Sequence, residues 1–216
     1  MKMRFKDGKQ KVITLSYDDA VVQDIRLIEI MNKYGLKGTF NVNSGMYLPE
    51  NSTREKFYGR LKLSEARELY TDSGHEVAVH AFNHPFLEKL DDSEIIYEIT
   101  EDRRSIEEQY GVIARGMAYP YGTYSNKVIS VLEKCKIAYA RTTKSTLSFE
   151  LPEDWLQLHP TCHHNNEKLD ELITQFVETP SIWGNAEMFY LWGHSYEFDN
   201  NDNWDVIERF AEYAGG

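Results

Sequence analysis

The chain contains little cysteine and no long apolar run. Its two cysteines, Cys135 and Cys162, begin no CxxC pair, so we expect free thiols and no disulfide framework. No stretch approaches the roughly 18 apolar residues of a membrane-spanning helix, and the Lys-rich residues 1–11 lack the apolar segment of a signal peptide. These absences predict a cytoplasmic protein without a membrane partner, or an exported one if a signal segment has been removed.

Positive charge is also scarce, because 24 Lys and Arg residues accompany 35 Asp and Glu residues, a formal net charge of −11. Phosphate binding needs a basic patch, and the chain has no run rich in Lys or Arg. We therefore expect no nucleic-acid partner and a ligand that is neutral or carries an amino group. Domains contain roughly 100–200 residues, so the length predicts one domain over residues 1–216. The sequence does not predict the oligomeric state.

Short apolar runs alternate with longer amphipathic runs along the chain. Residues 12–17 have the pattern of a buried strand, and residues 21–34 carry apolar side chains at helical spacing before Gly35. Further strands are predicted at residues 39–42, 76–80, 116–119, 137–141, 156–159 and 188–192. Further helices are predicted at residues 64–70, 92–110, 125–135, 167–177 and 204–213. Strands separated by helices imply parallel crossovers, and seven strands favour a (β/α) barrel over an open doubly wound sheet.

Polar side chains follow the predicted strands where they end. Asp18 and Asp19 come directly after the first strand. The others are Asn41 and Asn43, His80, the Pro120-Tyr121-Gly122 turn, Arg141, His163 and His194. In parallel α/β folds the carboxyl ends of the strands face one rim, which carries the chemistry. We therefore expect residues that are far apart in sequence to converge there.

The Asp pair and two histidines can form a metal site. Asp18 and Asp19 could simply cap a helix, but adjacent residues at a strand end point in different directions. One carboxylate could then bind a metal while its neighbour accepts a proton. His80 and His84 are singly ordinary polar residues, but together they can face one ion. Two neutral imidazoles and one carboxylate leave the open positions that a catalytic Zn²⁺ needs.

Two more motifs have both a structural and a chemical interpretation. The Tyr119-Pro-Tyr-Gly122 segment is typical of a turn, but the backbone N–H of Tyr121 could donate to a developing oxyanion. His194 ends an apolar strand, and it could act as a general acid or simply lie at the barrel mouth. His163 and His164 could contact substrate or add a metal ligand, although a surface position is the commoner fate of such residues.

Four of these segments resemble, in the same order, motifs of the NodB-type polysaccharide deacetylases, also called carbohydrate esterase family four. They are residues 14–20 (TLSYDDA), 80–84 (HAFNH), 119–122 (YPYG) and 190–194 (YLWGH). The resemblance spans residues 12–194 and implies a distorted (β/α) barrel of seven or eight strands. It also implies metal-dependent removal of N- or O-acetyl groups from sugars, usually N-acetylglucosamine polymers.

The resemblance assigns roles to individual residues. It implies that Asp18 is the general base, that His194 is the general acid, and that the Tyr121 N–H binds the oxyanion. Three side chains would hold a divalent metal: Asp19, His80 and His84. We expect Zn²⁺, with Co²⁺, Ni²⁺, Mn²⁺ and Fe²⁺ as alternatives.

The chain departs from the family pattern around the base and the acid. The family has an arginine two residues before the proline of its third motif, where this chain has Ala118. Arg141 could reach in from the next strand to orient the base, with Arg115 as a competitor. The fourth family motif, Asp-x-x-Asp-Trp, is present only as Asp154-Trp155, and a nearby carboxylate such as Asp154 or Glu197 could stabilise the charge of His194.

Two further departures affect the backbone and the pocket. Ala20 stands where the family's first motif has glycine, which changes no reactive group. Tyr190 and Trp192 replace small aliphatic residues of the fifth motif, so aromatic rings reshape the pocket for the acetyl methyl group. Three tryptophans could stack on sugar faces or pack in the core: Trp183, Trp192 and Trp204.

We therefore predict a metal-dependent hydrolase that deacetylates a carbohydrate or a similar small acyl amide. The incomplete motifs also suit a non-catalytic sugar-binding or regulatory relative that retains the metal. Asp18 and His194 argue against that alternative, because a binding protein needs neither. A metal-free glycosidase with a carboxylate pair is a third possibility, and a chelator would leave it active.

Overall fold

Seven parallel strands form one sheet in the computed structural model, which describes residues 4–53, 59–181 and 185–215. The strands are β1 (Lys11–Asp18), β2 (Gly38–Val42), β3 (Glu76–Val79), β4 (Gly116–Ala118), β5 (Tyr139–Arg141), β6 (Cys162–His163) and β7 (Glu187–Gly193). Their order in the sheet is β5-β4-β3-β2-β1-β7-β6. The longest strands, β1 and β7, pair over seven positions, from Lys11 opposite Glu187 to Tyr17 opposite Gly193.

Helices connect the strands and cover the sheet. They are α1 (Asp24–Lys33), α2 (Leu63–Ser73), α3 (Asp92–Tyr110), α4 (Asn126–Lys134), α5 (Leu169–Glu178), α6 (Tyr196–Asn200) and α7 (Trp204–Gly215). Short 3-10 turns lie at Lys6–Gly8, Leu87–Lys89, Pro120–Gly122 and Trp155–Gln157. In the described ranges, no helix combines the length and apolar character needed to cross a membrane.

The sheet curls so that its two edges approach each other. Leu158 donates its N–H to Ala140 O of β5 at 3.0 Å, and Thr142 N–H donates to Leu158 O at 3.0 Å. Three residues later, Thr161 N–H donates to Tyr190 O of β7 at 2.8 Å. This segment therefore bridges the gap between the edges. The predicted distorted (β/α) barrel of about seven parallel strands is confirmed.

The sixth strand is not where the sequence pattern predicts it. Residues 156–159 contain the end of a 3-10 turn and one isolated bridge between Leu158 and Arg141, and the strand itself is Cys162–His163. Asp154 accepts a hydrogen bond from Leu156 N–H and starts the turn, and Pro160 has no N–H with which to continue a ladder. His163 is therefore inside β6 and His164 directly follows it.

Local sequence explains the helix boundaries around the sheet. Asp91 caps α3 by accepting from Glu94 N–H at 2.9 Å, and Gly111 ends this helix in the left-handed conformation at φ 67°. Ser125 caps α4 in the same manner. Cys162 is buried in the core, Cys135 is half-buried, and both are free thiols as expected.

Candidate active site

The carboxyl ends of the strands surround a cavity of about 350 Å³. Its walls come from β1, β7 and the turns after β3 and β4, and they include six of the seven predicted site residues: Asp18, Asp19, His80, His84, Tyr121 and His194. The seventh, Arg141, is buried and contacts Asp18. The predicted convergence of distant residues at one rim is therefore present in the structure.

The backbone around this cavity adopts conformations that non-glycine residues seldom take. Five residues there have left-handed φ values: Asp19 (84°), Ala20 (51°), Ala81 (61°), His84 (54°) and Tyr121 (58°). Each such residue costs roughly 1–2 kcal/mol, so the surrounding structure must hold these turns in place. The φ of Ala20 gives a physical reason for the glycine found in the family motif.

The three prospective metal ligands lie together with their ligand atoms within 4.8 Å of one another. His80 Nδ1 lies 2.8 Å from Ala118 O and donates its proton there, which leaves Nε2 facing the cavity. His84 Nε2 lies 3.2 Å from His80 Nε2 and 3.8 Å from Asp19 Oδ1. Burial, reinforced by the neighbouring His80, lowers the pKa of His84 to about 4. A neutral imidazole is the form that binds metal, so this donor set fits a divalent ion.

The strand that carries His80 is fixed from outside the cavity. His80 N–H donates to Asp102 Oδ2 at 2.9 Å, and Ser44 donates to the other oxygen through both its N–H and its hydroxyl. Asp102 is fully buried on α3, where burial raises its pKa to about 7 against these hydrogen bonds. This carboxyl group therefore ties β3, α3 and the β2 turn together beneath the metal site.

Asp18 lies between a guanidinium and an amide. Arg141 Nη2 donates to Asp18 Oδ2, and Asn41 Nδ2 donates to Oδ1 at 2.9 Å. Burial alone would raise the pKa of Asp18, but the positive charge of Arg141 and the imidazoles of His80 and His194 lower it to about 2. Asp18 is therefore ionised at neutral pH.

Arg141, at the end of β5, reaches Asp18 from the strand that follows the third motif. Its side chain is 1% exposed, its Nε donates to Ser16 Oγ at 3.1 Å, and its guanidinium lies 4.6 Å from the centre of the Trp192 ring. Arg115, the competing candidate, is exposed. Ala118 contributes its backbone oxygen to His80 instead.

Two residues in contact with the Asp pair had no assigned role. Arg60 binds Asp19 through Nη2 to Oδ1 at 3.0 Å and Nη1 to the backbone oxygen at 2.6 Å. Arg60 lies in a loop outside every motif, so no sequence signal pointed to it. Asn41 is the last residue but one of β2, and its position near a strand end was the one signal that could have identified it as a partner of Asp18.

His194 lies across the cavity from His80, with one ring nitrogen toward the Asp pair. Its Nε2 lies 3.9 Å from Asp18 Oδ2 and 4.0 Å from Asp19 Oδ2, and its Nδ1 lies 3.5 Å from Glu197 Oε2. Burial alone would lower the pKa of His194, but the contact with Glu197 and the charges of both Asp residues raise it above its ordinary value. The protonated form is therefore favoured, as a general acid requires.

The two carboxylate candidates for tuning His194 differ in position. Asp154 lines a separate cavity and accepts from Leu156 N–H at 2.9 Å and Gln157 Nε2 at 2.7 Å. Glu197 contacts the imidazole directly. The remaining part of the fourth family motif therefore caps a turn.

The aromatic residues predicted near the rim have different environments. Trp192 lines the cavity together with Tyr119, Tyr121 and Tyr196, whereas Tyr190 packs with Leu158 and Met188 in a separate cluster. Trp204 packs in the core against Phe198, with ring centroids 4.9 Å apart, and Trp183 lies outside the described residues.

His163 and His164 are not surface residues, contrary to the commoner fate expected for them. The His163 side chain is half-buried and His164 is fully buried. His163 ends β6, which pairs with β7 at one edge of the sheet, and His164 directly follows it. Both imidazoles contact Glu197 of α6.

The sequence model of the family described as polysaccharide deacetylase matches residues 5–140, so this chain belongs to the polysaccharide deacetylase family. It is 24% identical over 168 residues to the uncharacterized protein YlxY of Bacillus subtilis, and the aligned residues make up 71% of this chain and 48% of that protein. It is 30% identical over 89 residues to chitin deacetylase 1 of Cryptococcus neoformans, and the aligned residues make up 39% of this chain and 19% of that protein. The chain spans half or less of the length of these relatives.

Solved structures share the fold. A family 4 carbohydrate esterase from Streptomyces lividans in complex with acetate has a TM-score of 0.60 at 18% identity and covers 93% of this chain and 86% of that chain. A pseudoenzyme of this esterase family from Bacillus anthracis has a TM-score of 0.56 at 16% identity and covers 93% of this chain and 61% of that chain. At these identities the likeness concerns the fold alone.

Proposed function

We propose that this chain hydrolyses acetyl groups from an N-acetylated or O-acetylated carbohydrate, with a divalent metal, Zn²⁺ in our expectation, held by Asp19, His80 and His84. One observation carries the proposal: an ionised carboxylate and a histidine with a raised pKa face the same cavity as the prospective ligands. Asp18 Oδ2 lies 3.8 Å from His80 Nε2 and 3.9 Å from His194 Nε2. A binding protein needs no such pair of proton-transfer groups.

Asp18 is the proposed general base. Arg141 and Asn41 fix both of its oxygens, so the carboxylate holds one orientation toward the cavity. Because its pKa is about 2, Asp18 takes a proton only from water that is much more acidic than bulk water. A bound divalent metal would supply that acidity and would polarise the acyl carbonyl.

His194 and Tyr121 complete the proposed proton and charge transfers. The tetrahedral intermediate carries negative charge on the former carbonyl oxygen, and the backbone N–H of Tyr121 is the proposed donor to it. The amine of an N-acetyl sugar leaves only when it is protonated, and His194 Nε2 is the proposed source of that proton. Trp192, Tyr119 and Tyr196 would pack on the acetyl methyl group and the apolar face of the sugar.

Acetate release tests this function against the alternatives. We expect the purified protein to release acetate from acetylated chitooligosaccharides and the Asp18→Asn variant to release far less. Sugar binding by both proteins without acetate release would identify a non-catalytic relative. Cleavage of the sugar chain without acetate release would identify a glycosidase.

A further inference from the structure

His194 has a second set of neighbours on the ring nitrogen that does not face the Asp pair. Glu197 Oε2 lies 3.5 Å from His194 Nδ1, 3.0 Å from His163 Nε2 and 3.2 Å from His164 Nε2. The same oxygen accepts the backbone N–H of His194 at 3.1 Å. One carboxylate oxygen therefore meets three imidazoles, and only His194 among them lines the active-site cavity.

The cluster has the composition of a metal site, but its hydrogen bonds favour another role. His163, His164 and Glu197 offer ligand atoms within 4.8 Å of one another. Asn165 N–H, however, donates to His163 Nδ1 at 3.1 Å, so Nδ1 is an acceptor and the ring proton is on Nε2. This Nε2–H points at Glu197 at 3.0 Å, whereas a metal-binding nitrogen must be unprotonated.

We propose that Glu197 is a positioning residue for His194, and that His163 fixes Glu197 in turn. Glu197 Oε2, 3.5 Å from His194 Nδ1, would accept the proton of that nitrogen after a small approach of the two side chains, and this contact would keep Nε2 directed at the cavity. A carboxylate that holds the far nitrogen of a reactive histidine fixes both its tautomer and its orientation. The proposal rests on the proposed function, in which Nε2 of His194 protonates the leaving group. In this proposal Glu197 of α6 tunes His194, a role that the family pattern assigns to an aspartate of the fourth motif.

The packing around Glu197 supports this arrangement. His164 lies between Tyr17 and Phe198, with ring centroids 5.8 Å and 4.1 Å away. A Cβ at Gly193 would come within 2.1 Å of His164 Nδ1, so the strand must carry glycine for the ring to lie there. Burial lowers the pKa of His164 to about 3, which keeps it neutral. His164 therefore adds no positive charge that would compete with His163 and His194 for Glu197.

The first test measures the tautomer of His194 and needs no substrate. In ¹⁵N-labelled protein, we expect neutral His194 to carry its proton on Nδ1, and we expect Glu197→Gln to lose this strict preference. The matched control is Glu171→Gln, which alters an exposed glutamate on α5 and should leave the spectrum of His194 unchanged. An unchanged tautomer in Glu197→Gln overturns the proposal even if the protein proves to have no deacetylase activity.

The second test separates positioning from folding. We expect Glu197→Gln to lower kcat on an N-acetyl substrate by at least about 10-fold, but by less than the roughly 10²–10⁴-fold that the general acid itself contributes, with little change in KM. An activated aryl acetate should be affected much less, because its leaving group departs without a proton. His163→Ala should have a smaller effect of the same kind, and the double variant should be no slower than Glu197→Gln alone.

Two results would contradict the proposal in this second test. Equal losses on amide and aryl ester would show that Glu197 supports the fold or the substrate site. A second equivalent of metal in the wild-type protein that Glu197→Gln removes would identify the cluster as a metal site. Absence of turnover on every acetylated substrate would count against the proposed function and leave the tautomer test as the deciding measurement.

Discussion

Asp18 and Asp19 are neighbours in sequence with different surroundings. Asp18 ends β1 in the extended conformation and faces Arg141 and Asn41. Asp19 follows with a positive φ, and its own side chain faces His84 and Arg60. A strand end followed by a left-handed residue therefore separates a prospective base from a prospective ligand by one peptide unit.

The substitution Asp18→Asn tests this division of roles. We expect the variant to keep its metal and to lose roughly 10²–10⁴-fold in turnover, because it removes the proton acceptor and leaves all three prospective ligands. Asp19→Asn is the matched comparison, and it should lose metal and activity together. Loss of metal in Asp18→Asn would show that the two carboxylates share the ligand role.

The contact between Arg141 and Asp18 gives a second prediction at this scale. Arg141→Lys should lower turnover while metal content stays unchanged, because a lysine cannot bind Asp18 and Ser16 in the geometry of the planar guanidinium. Arg115→Lys is the control, since Arg115 is exposed. Wild-type turnover in Arg141→Lys, measured with metal content in the same sample, would remove the orienting role from Arg141.

Motifs made it predictable that the prospective ligands and the proposed acid and base share one cavity, because each lies at a strand end or in the turn that follows it. Arg60 was not predictable, since a loop residue has no periodic pattern and its contact with Asp19 depends on the folded path of that loop. For the carboxylate partner of His194, the sequence offered two candidates, Asp154 and Glu197, and did not decide between them. Glu197 is the third residue after His194, and the turn into α6 brings the two side chains together.

At the scale of elements, one buried carboxyl group joins three of them. Asp24, in the first turn of α1, accepts from Tyr70 of α2 and from Ser195 in the turn between β7 and α6. Burial raises the pKa of Asp24 to about 7, against these hydrogen bonds, which lower it. The protonation state of the Asp24 carboxyl group is therefore linked to the packing of α1 and α2 against the end of β7.

This coupling predicts how stability depends on pH. The unfolded chain releases the Asp24 proton near its ordinary pKa of 3.8, whereas the folded protein holds it to about pH 7. The folded state binds more protons across this window, so the free energy of unfolding should fall as pH rises through it. Asp102, with a pKa also raised to about 7, acts in the same direction.

Denaturant unfolding at pH 4 to 8 measures this effect. Asp24→Asn should reduce the fall in unfolding free energy between these pH values, because the amide does not titrate. Asp170→Asn, an exposed residue of α5, should leave the pH dependence unchanged. Identical pH slopes for wild type and Asp24→Asn would show that hydrogen bonds keep Asp24 ionised in the folded state.

The position of β6 shows where sequence reasoning fails for elements. Short apolar runs predicted six of the strands close to their observed positions, because buried parallel strands are continuous apolar runs. The segment that closes the curled sheet is apolar as well, but Pro160 and the Asp154 turn prevent it from pairing as a strand. Its role depends on the distance between the two sheet edges, which no local pattern encodes.

For the whole molecule, parallel strands explain how a site is assembled from distant parts of the chain. The parallel pairing of β1 and β7 places Asp18 and His194 side by side, although their positions differ by 176 in the sequence. The fold and the common rim could be inferred from the alternation of strands and helices. The family model matches residues 5–140, whereas β7 and His194 lie beyond this match.

The central claim is that a metal at Asp19, His80 and His84 is required for acetate release. The most direct measurement removes all metal from the protein, adds Zn²⁺ back in steps, and records bound metal and acetate release from acetylated chitooligosaccharides together. We predict no activity without metal and a linear recovery that ends at one equivalent per chain, with neither metal nor activity in His84→Ala. His159→Ala, away from the cavity, should behave as wild type. Acetate release that survives complete demetallation would contradict the account.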